Sequence, residues 1–97
     1  MNGYDIDGVL TKGIIPKEPF VIISGRTWSE TDLPIPYRDK AWGIALRGRG
    51  IKGDSLDSAI FKSTMIHLWQ VLHFYEDDPI QINYLQQACY NCVIMKI

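Results

Sequence analysis

The sequence contains few cysteines and no long hydrophobic run. Two cysteines in 97 residues are too few for a disulfide framework. The longest apolar runs span only a few residues, as at positions 20–23, so none could cross a bilayer. Because no basic-then-apolar segment opens the chain, we expect no secretory signal. These absences predict a cytoplasmic protein without a membrane partner.

The sequence also lacks an excess of positive or negative charge. Lys and Arg number 10, and Asp and Glu number 11, which gives a net charge of −1. Since general binding to nucleic acid needs a basic surface, this balance argues against such a partner. With 46% hydrophobic and 22% charged residues, the composition is typical of a globular protein. We therefore expect residues 1–97 to form a single small domain.

The two cysteines, Cys89 and Cys92, have the C-x-x-C spacing. They supply only half of a zinc site. A redox pair needs a lowered thiol pKa, which a helix N-terminus favours, and these residues lie near the end of the chain instead. We interpret them as structural thiols.

Short apolar runs alternate with helical patterns. The runs predict strands at residues 1–4, 20–23, 42–46, 72–75 and 92–97. Apolar residues at three- and four-residue spacing predict a long helix through Phe61 to Leu72, with Asp54, Ser55 and Asp57 as candidate N-caps, and a shorter helix after Pro79. This alternation predicts an α/β fold built on a mostly parallel sheet.

Acidic and hydroxyl side chains follow the predicted strands. Asp5 and Asp7 come just after the first strand, Ser24 ends the second, and Asp77 and Asp78 follow the strand after the long helix. In an open parallel sheet, ligands gather at the carboxyl ends of strands. Like charges at close range are costly without a cation, and oxygen ligands without His or Cys favour Mg²⁺. The sequence therefore predicts a magnesium site at this edge.

Four segments resemble, in order, the motifs of the haloacid dehalogenase-like superfamily. Residues 4–11, YDIDGVLT, resemble the first motif, a strand followed by Asp-x-Asp-Gly, and residues 21–26, VIISGR, resemble the second. Lys62 fits the third motif, with Lys52 as its rival, and residues 74–78, FYEDD, fit the fourth. The resemblance implies a three-layer Rossmann-like fold with a mostly parallel five-stranded sheet.

The resemblance also implies an Mg²⁺-dependent phosphohydrolase that acts on a small phosphorylated substrate through an aspartyl-phosphate. Asp5 would be the nucleophile, and Asp7 would be the general acid and then the base. Ser24 would bind a phosphoryl oxygen, and Lys62 would neutralise phosphate charge and orient Asp5. Gly25 would add a backbone N–H group to this phosphate cradle.

The same resemblance implies the ligands of the metal. They are Asp5, the backbone carbonyl of Asp7, Asp77 and Asp78, and the choice of the main ligand between the last two stays open. Arg26, which follows the second motif, either extends the phosphate cradle or is a surface charge. Both possibilities stay open from the sequence.

The chain departs from the superfamily by lacking room for a cap domain. Caps are inserted after the first motif or after the third strand, and here residues 9–19 and 47–57 are too few to hold one. The first connection also lacks room for a flap and a helix. We therefore expect reduced helix cover on one face of the sheet. Because exposed apolar surface of that size marks an interface, we expect a homodimer or a higher homo-oligomer.

Two alternatives stay open. A protein with so short a first strand and a missing helix could be a non-catalytic remnant that serves as a binding or assembly module. The open site and the pair Glu76-Asp77 also resemble the phosphatase domain of polynucleotide kinase. That resemblance implies 3′-phosphate ends of nucleic acid as an alternative substrate class, which the near-neutral charge weakens.

Overall fold

Five strands and two α-helices make up the described chain, residues 1–30 and 32–97, in a computed structural model. The strands are β1 (Asn2–Tyr4), β2 (Phe20–Thr27), β3 (Ile44–Gly48), β4 (His73–Glu76) and β5 (Val93–Lys96). The helices are α1 (Ser55–Leu68) and α2 (Pro79–Ala88). Single 3₁₀ turns lie at Leu10–Lys12, Trp28–Glu30 and Arg38–Lys40. Each predicted strand is present, and β2 continues through a polar stretch that the apolar pattern did not include.

All five strands are parallel and lie in the order β3-β2-β1-β4-β5. The prediction of a mostly parallel α/β sheet is confirmed. The chain first winds outward from β1 to β2 and β3, and it then returns to the other side of β1 to form β4 and β5. The order therefore reverses between β1 and β4. In sheets of this kind a ligand crevice forms outside the carboxyl ends of the two strands where the order reverses.

Both helices cover the same face of the sheet. Val21 and Ile23 of β2 point toward this face and pack in one buried cluster with Ile66 of α1, Phe74 of β4 and Leu85 of α2. The two helices also contact each other. Adjacent residues of a strand point to opposite faces of the sheet, so Val21 and Ile23 share the face that the helices cover.

The other face is covered by loops and 3₁₀ turns. Phe20 and Ile22 of β2 are fully buried there, together with Tyr4, Val9 and Leu10. Within the described residues, neither the β1–β2 nor the β2–β3 connection contains an α-helix. The expectation of three layers is therefore corrected, because these short connections supply a loop cover where the third layer would hold helices. The expected reduction in helix cover on one face is confirmed.

The loop cover does not extend over the edge strand β5. Met95 lies opposite Tyr75, which belongs to the loop-covered cluster, so Val93, Met95 and Ile97 share that face. Val93 is 55% and Ile97 45% exposed. The homo-oligomer expected from a thinly covered sheet stays a prediction.

An aspartate caps the N-terminus of each helix. Asp54 precedes α1, and its side chain accepts a hydrogen bond from the backbone N–H of Asp57 at 3.0 Å. Asp78 precedes α2 and accepts from the N–H of Ile80 at 2.9 Å, and Pro79 occupies the first helical position. An aspartate at this position satisfies one of the amide groups that the first turn leaves without a helical partner. These caps fix where the helices start beside the carboxyl edge of the sheet.

The cysteines lie beyond α2, away from that edge. Burial raises the pKa of the Cys89 thiol, and burial together with the neighbouring Cys89 raises the pKa of Cys92 to about 11. Thiols with raised pKa values are poor nucleophiles and poor metal ligands near neutral pH. Both observations support the interpretation of structural thiols. No helix in the described part of the chain is long and apolar enough to span a membrane.

The loop-covered face should contribute to stability as strongly as the helix-covered face. Ile22 and Ile23 are neighbours on β2, both are fully buried, and they point to opposite faces. We expect Ile22→Ala and Ile23→Ala each to lower the free energy of unfolding by about 2–5 kcal/mol, measured by urea denaturation. A loss below about 1 kcal/mol for Ile22→Ala alone would show that the loop cover is loosely packed.

Candidate active site

A pocket opens at the carboxyl edge of the sheet, where the strand order reverses. It has a volume of about 470 Å³. All of the residues that the sequence places in the site line it, namely Asp5, Asp7, Ser24, Gly25, Lys62, Asp77 and Asp78. The structure thus brings the four motif segments together around one cavity.

Three carboxylates form the deepest part of the site. Oxygen atoms of Asp5, Glu76 and Asp77 lie within 4.8 Å of one another. Asp5 directly follows β1, and its backbone N–H bonds the carbonyl of Tyr75 at 3.2 Å, so the pairing of β1 with β4 continues to the site. Asp5 is 6% exposed and Glu76 is fully buried. The cluster contains only oxygen donors, which suits a hard divalent cation.

Glu76 is a site residue that the sequence analysis missed. It is the last residue of β4, and the sequence places it among the acids that end the fourth motif and in the pair Glu76-Asp77 without giving it a role in the site. The register of β1 and β4 pairs Tyr4 with Tyr75, which places Asp5 beside Glu76. Glu76 could have been predicted from this register, but only if the pairing of β1 with β4 had been known.

Lys62 supplies a buried positive charge to this cluster. Its Nζ lies 2.6 Å from Oε2 of Glu76 and 3.2 Å from Oδ1 of Asp5. Burial acts to lower the pKa of Lys62, but the carboxylates of Asp5 and Glu76 more than offset this and the pKa is raised. Lys52, the rival candidate, is exposed at the rim of the same pocket. The geometry therefore favours Lys62 as the lysine that orients Asp5.

The carboxyl group of Asp5 lies in an unusual electrostatic environment. Burial raises the pKa of Asp5 to about 8, with Lys62 opposing the rise and Glu76 adding to it. Two carboxylates share one ammonium group in a space with little water. A divalent cation beside Asp5 would oppose this rise by favouring the ionised form of its carboxyl group.

Gly8 allows the turn after β1 to lie against Asp77. Its φ is +82°, a conformation that side chains disfavour, and a Cβ atom there would lie 1.9 Å from Oδ2 of Asp77. Burial, followed by the charge of Glu76, raises the pKa of Asp77. The glycine of the first motif is thus needed for the approach of the fourth-motif carboxylate.

Ser24 and Gly25 line the wall of the pocket on β2. The Ser24 hydroxyl oxygen accepts a hydrogen bond from the N–H of Arg26 at 3.2 Å, and its own proton can be donated to another acceptor. A Cβ atom at Gly25 would lie 2.4 Å from Oγ of Ser58 on α1. Only a glycine lets α1 approach β2 this closely, which brings the start of that helix to the pocket.

Asp7 and Arg26 form an ion pair at the mouth of the pocket. Nε of Arg26 donates to Oδ2 of Asp7, and its second terminal nitrogen donates to Oδ1, both at 3.0 Å. The Arg26 side chain is 4% exposed and that of Asp7 is 56% exposed. Arg26 is therefore not the surface charge that the sequence left open.

Asp78 lies outside the carboxylate cluster. Its Oδ2 accepts from Oγ of Ser55 at 2.6 Å and from Nε2 of Gln81 at 3.2 Å, in addition to the capping bond to Ile80. Burial acts to raise the pKa of Asp78, but these hydrogen bonds hold it below its ordinary value. Of the two candidates at the end of β4, the structure brings Asp77 to the cluster and assigns Asp78 to the start of α2.

No family model, no curated protein and no solved structure matches the chain in comparisons with known proteins. The chemistry of the site is therefore argued from its own residues. A buried carboxylate, a lysine beside it, a cluster of oxygen donors and a hydroxyl group in one pocket suit transfer of an anionic group with the help of a cation.

The buried Asp5 should make the metal-free protein less stable as the pH rises. The folded protein holds the proton of Asp5 up to about pH 8, whereas an unfolded chain releases it near pH 3.8. The contribution is therefore fully present below pH 4 and is lost as the pH rises through 8, by at most about 1.4 kcal/mol per pH unit. Urea denaturation with a chelator should show this decline in the wild type and a weaker one in Asp5→Asn. Equal pH profiles would contradict the assignment.

Asp77 and Asp78 should respond differently to substitution. We expect Asp77→Asn to weaken binding of a divalent cation, tested with Mg²⁺, at least about 10-fold, because it removes a carboxylate from the cluster, with little change in stability. Asp78→Asn, or Asp78→Ala, should lower stability by about 0.5–2 kcal/mol through loss of the helix cap and leave Mg²⁺ affinity nearly unchanged. Calorimetric titration and thermal unfolding test both statements, and a larger loss of affinity in the Asp78 variant would reverse the assignment.

Proposed function

We propose that this protein is a minimal, capless member of the haloacid dehalogenase-like superfamily and an Mg²⁺-dependent phosphohydrolase of small phosphorylated substrates. One observation carries the proposal: Asp5, at the point where the strand order reverses, is buried between Lys62 and two further carboxylates in an open pocket. A buried acid of this kind is costly to stability, and functional sites are where such costs are retained.

The donor set fits a magnesium ion. Asp5, Glu76 and Asp77 would hold it, since their oxygen atoms already lie within 4.8 Å of one another. Glu76 thus joins the ligands implied by the sequence, and Asp78, which caps α2, would not belong to the set. The bound ion would offset negative charge on the nucleophile and on the phosphoryl group during transfer.

The proposed reaction has two steps carried by Asp5 and Asp7. A carboxylate oxygen of Asp5 attacks phosphorus, and the bond from phosphorus to the ester oxygen breaks. Asp7, at the mouth of the pocket, gives a proton to the departing alcohol. Water then attacks the aspartyl-phosphate, Asp7 takes its proton, and inorganic phosphate leaves with Asp5 restored.

The phosphoryl group would be bound by the wall of the pocket. The Ser24 hydroxyl donates to a phosphoryl oxygen, and Gly25 offers its backbone there. Lys62 is held in place by Glu76, so its ammonium group faces the nucleophile in a fixed direction. Fixed donors aimed at developing negative charge lower the barrier without reorganisation during the reaction.

The non-catalytic alternative is less well supported. A binding module that had lost turnover would have no need for the buried Asp5, Glu76 and Lys62 group, whose pairing is hard to satisfy away from water. The alternative of nucleic-acid ends as substrates lacks a basic surface, because the charges that line the pocket are mostly acidic. The openness of the site leaves the leaving group largely in solvent, which fits a range of small phosphate esters.

A phosphatase assay with an aryl phosphate tests the proposal. We expect turnover that requires Mg²⁺, disappears with chelator, and falls by about 10³-fold or more in Asp5→Asn because the nucleophile is lost. Asp39→Asn is a matched control, since Asp39 is an exposed acid on the 3₁₀ turn Arg38–Lys40. It should retain wild-type activity.

Two results would contradict the proposal. One is activity in Asp5→Asn equal to that of the wild type. The other is absence of turnover over a broad panel of phosphate esters together with absence of Mg²⁺ binding by calorimetry, which would favour the non-catalytic alternative.

A further inference from the structure

The ion pair between Arg26 and Asp7 is unusual in its burial. The cation is almost completely buried, whereas its carboxylate partner is more than half exposed and lines the pocket. Exposed ion pairs contribute little to stability, and burying a guanidinium group is costly. A pair meant only to stabilise the fold gains little by keeping its carboxylate at the mouth of a pocket.

Arg26 is fixed on several sides before it meets Asp7. One terminal nitrogen donates to the carbonyl oxygens of Leu33 at 3.1 Å and of Pro34 at 3.0 Å. Its backbone N–H is bonded to the Ser24 hydroxyl. The planar guanidinium group therefore has a fixed orientation, and its remaining edge presents two parallel N–H donors to Asp7.

The two parallel N–H donors of Arg26 fix the orientation of the Asp7 carboxylate as well as its distance. A bidentate contact fixes the plane of the carboxylate as well as its position, which a single ammonium group cannot do. Without Arg26, the exposed side chain of Asp7 would be free to rotate into solvent. Groups that transfer protons must be held close to the reacting oxygen, so a loss of orientation lowers the rate of the chemical step.

From this geometry we infer that Arg26 is a positioning residue that acts through Asp7: it holds the Asp7 carboxylate in the direction needed for proton transfer. The inference rests on the proposed function, because it assigns Arg26 a role in that reaction. It also answers the question left open by the sequence, since the side chain of Arg26 serves Asp7 and not the phosphate cradle.

A double-mutant cycle tests the inference with an aryl phosphate and Mg²⁺. We expect Arg26→Gln to lower kcat about 10- to 100-fold while KM changes less than about threefold. Arg26→Lys should recover little of this loss, because it lacks the two-donor edge. In an Asp7→Ala background, Arg26→Gln should cause no further decrease, since the residue through which it acts is gone.

The cycle separates positioning from direct binding. If Arg26 contacted the phosphate itself, Arg26→Gln would raise KM and its effect would add to that of Asp7→Ala, and either result would overturn the inference. Arg38→Gln removes an exposed arginine from the 3₁₀ turn Arg38–Lys40 and should leave both constants unchanged. If Arg26→Gln does not fold, as judged by circular dichroism, the cycle is run with Arg26→Lys, which keeps the buried charge.

Failure of the inference can be told apart from failure of the proposed function. An active wild type whose kcat is unaffected by Arg26→Gln would overturn the role of Arg26 and leave the phosphohydrolase proposal intact. A wild type without turnover on any phosphate ester would overturn both.

Discussion

The buried contact of Lys62 with Asp5 and Glu76 is the interaction on which the rest of the site depends. It joins three elements, because Lys62 belongs to α1, Glu76 to β4, and Asp5 to the turn after β1. Removing the Lys62 charge would leave two buried carboxyl groups without a counter-charge, which costs about 3–5 kcal/mol. The group contains two carboxyl groups but only one ammonium group. The same arrangement that fixes the ends of these elements therefore favours a cation beside them.

The sheet order explains why these groups meet. The β1 strand lies between β2 and β4, so the turn after β1 has the polar end of β2 on one side and the acidic end of β4 on the other. Hydroxyl and backbone groups come from the first neighbour, and carboxylates come from the second. A pocket between them has anion-binding and cation-binding groups on opposite walls. That division is what the proposed transfer of a phosphoryl group with a metal ion would use.

The sequence predicted the parts of the site that depend on strand ends and helix starts. Asp5, Ser24 and Lys62 were placed by apolar periodicity and motif order, and the structure brings them together. The roles of Glu76 and Asp78 depend on tertiary contacts, namely the register of β1 with β4 and the meeting of the two helix starts, which periodicity does not encode. The third layer was predicted from resemblance and is replaced by loops because the connections are short.

Because the β1–β2 and β2–β3 connections are short, the loop that covers one face of the sheet also contacts residues of the site. A helix bonds most of its own backbone groups internally, whereas the carbonyl groups of an irregular loop take partners from outside the helix pattern, among them side chains and water. Arg26 does so for Leu33 and Pro34 with one end of its guanidinium group and holds Asp7 with the other. A change in the position of Leu33 and Pro34 would thus alter the position of the Asp7 carboxylate, because the same guanidinium group bonds all three residues. The loop that covers this face of the core is then also the support of the residue proposed to transfer protons.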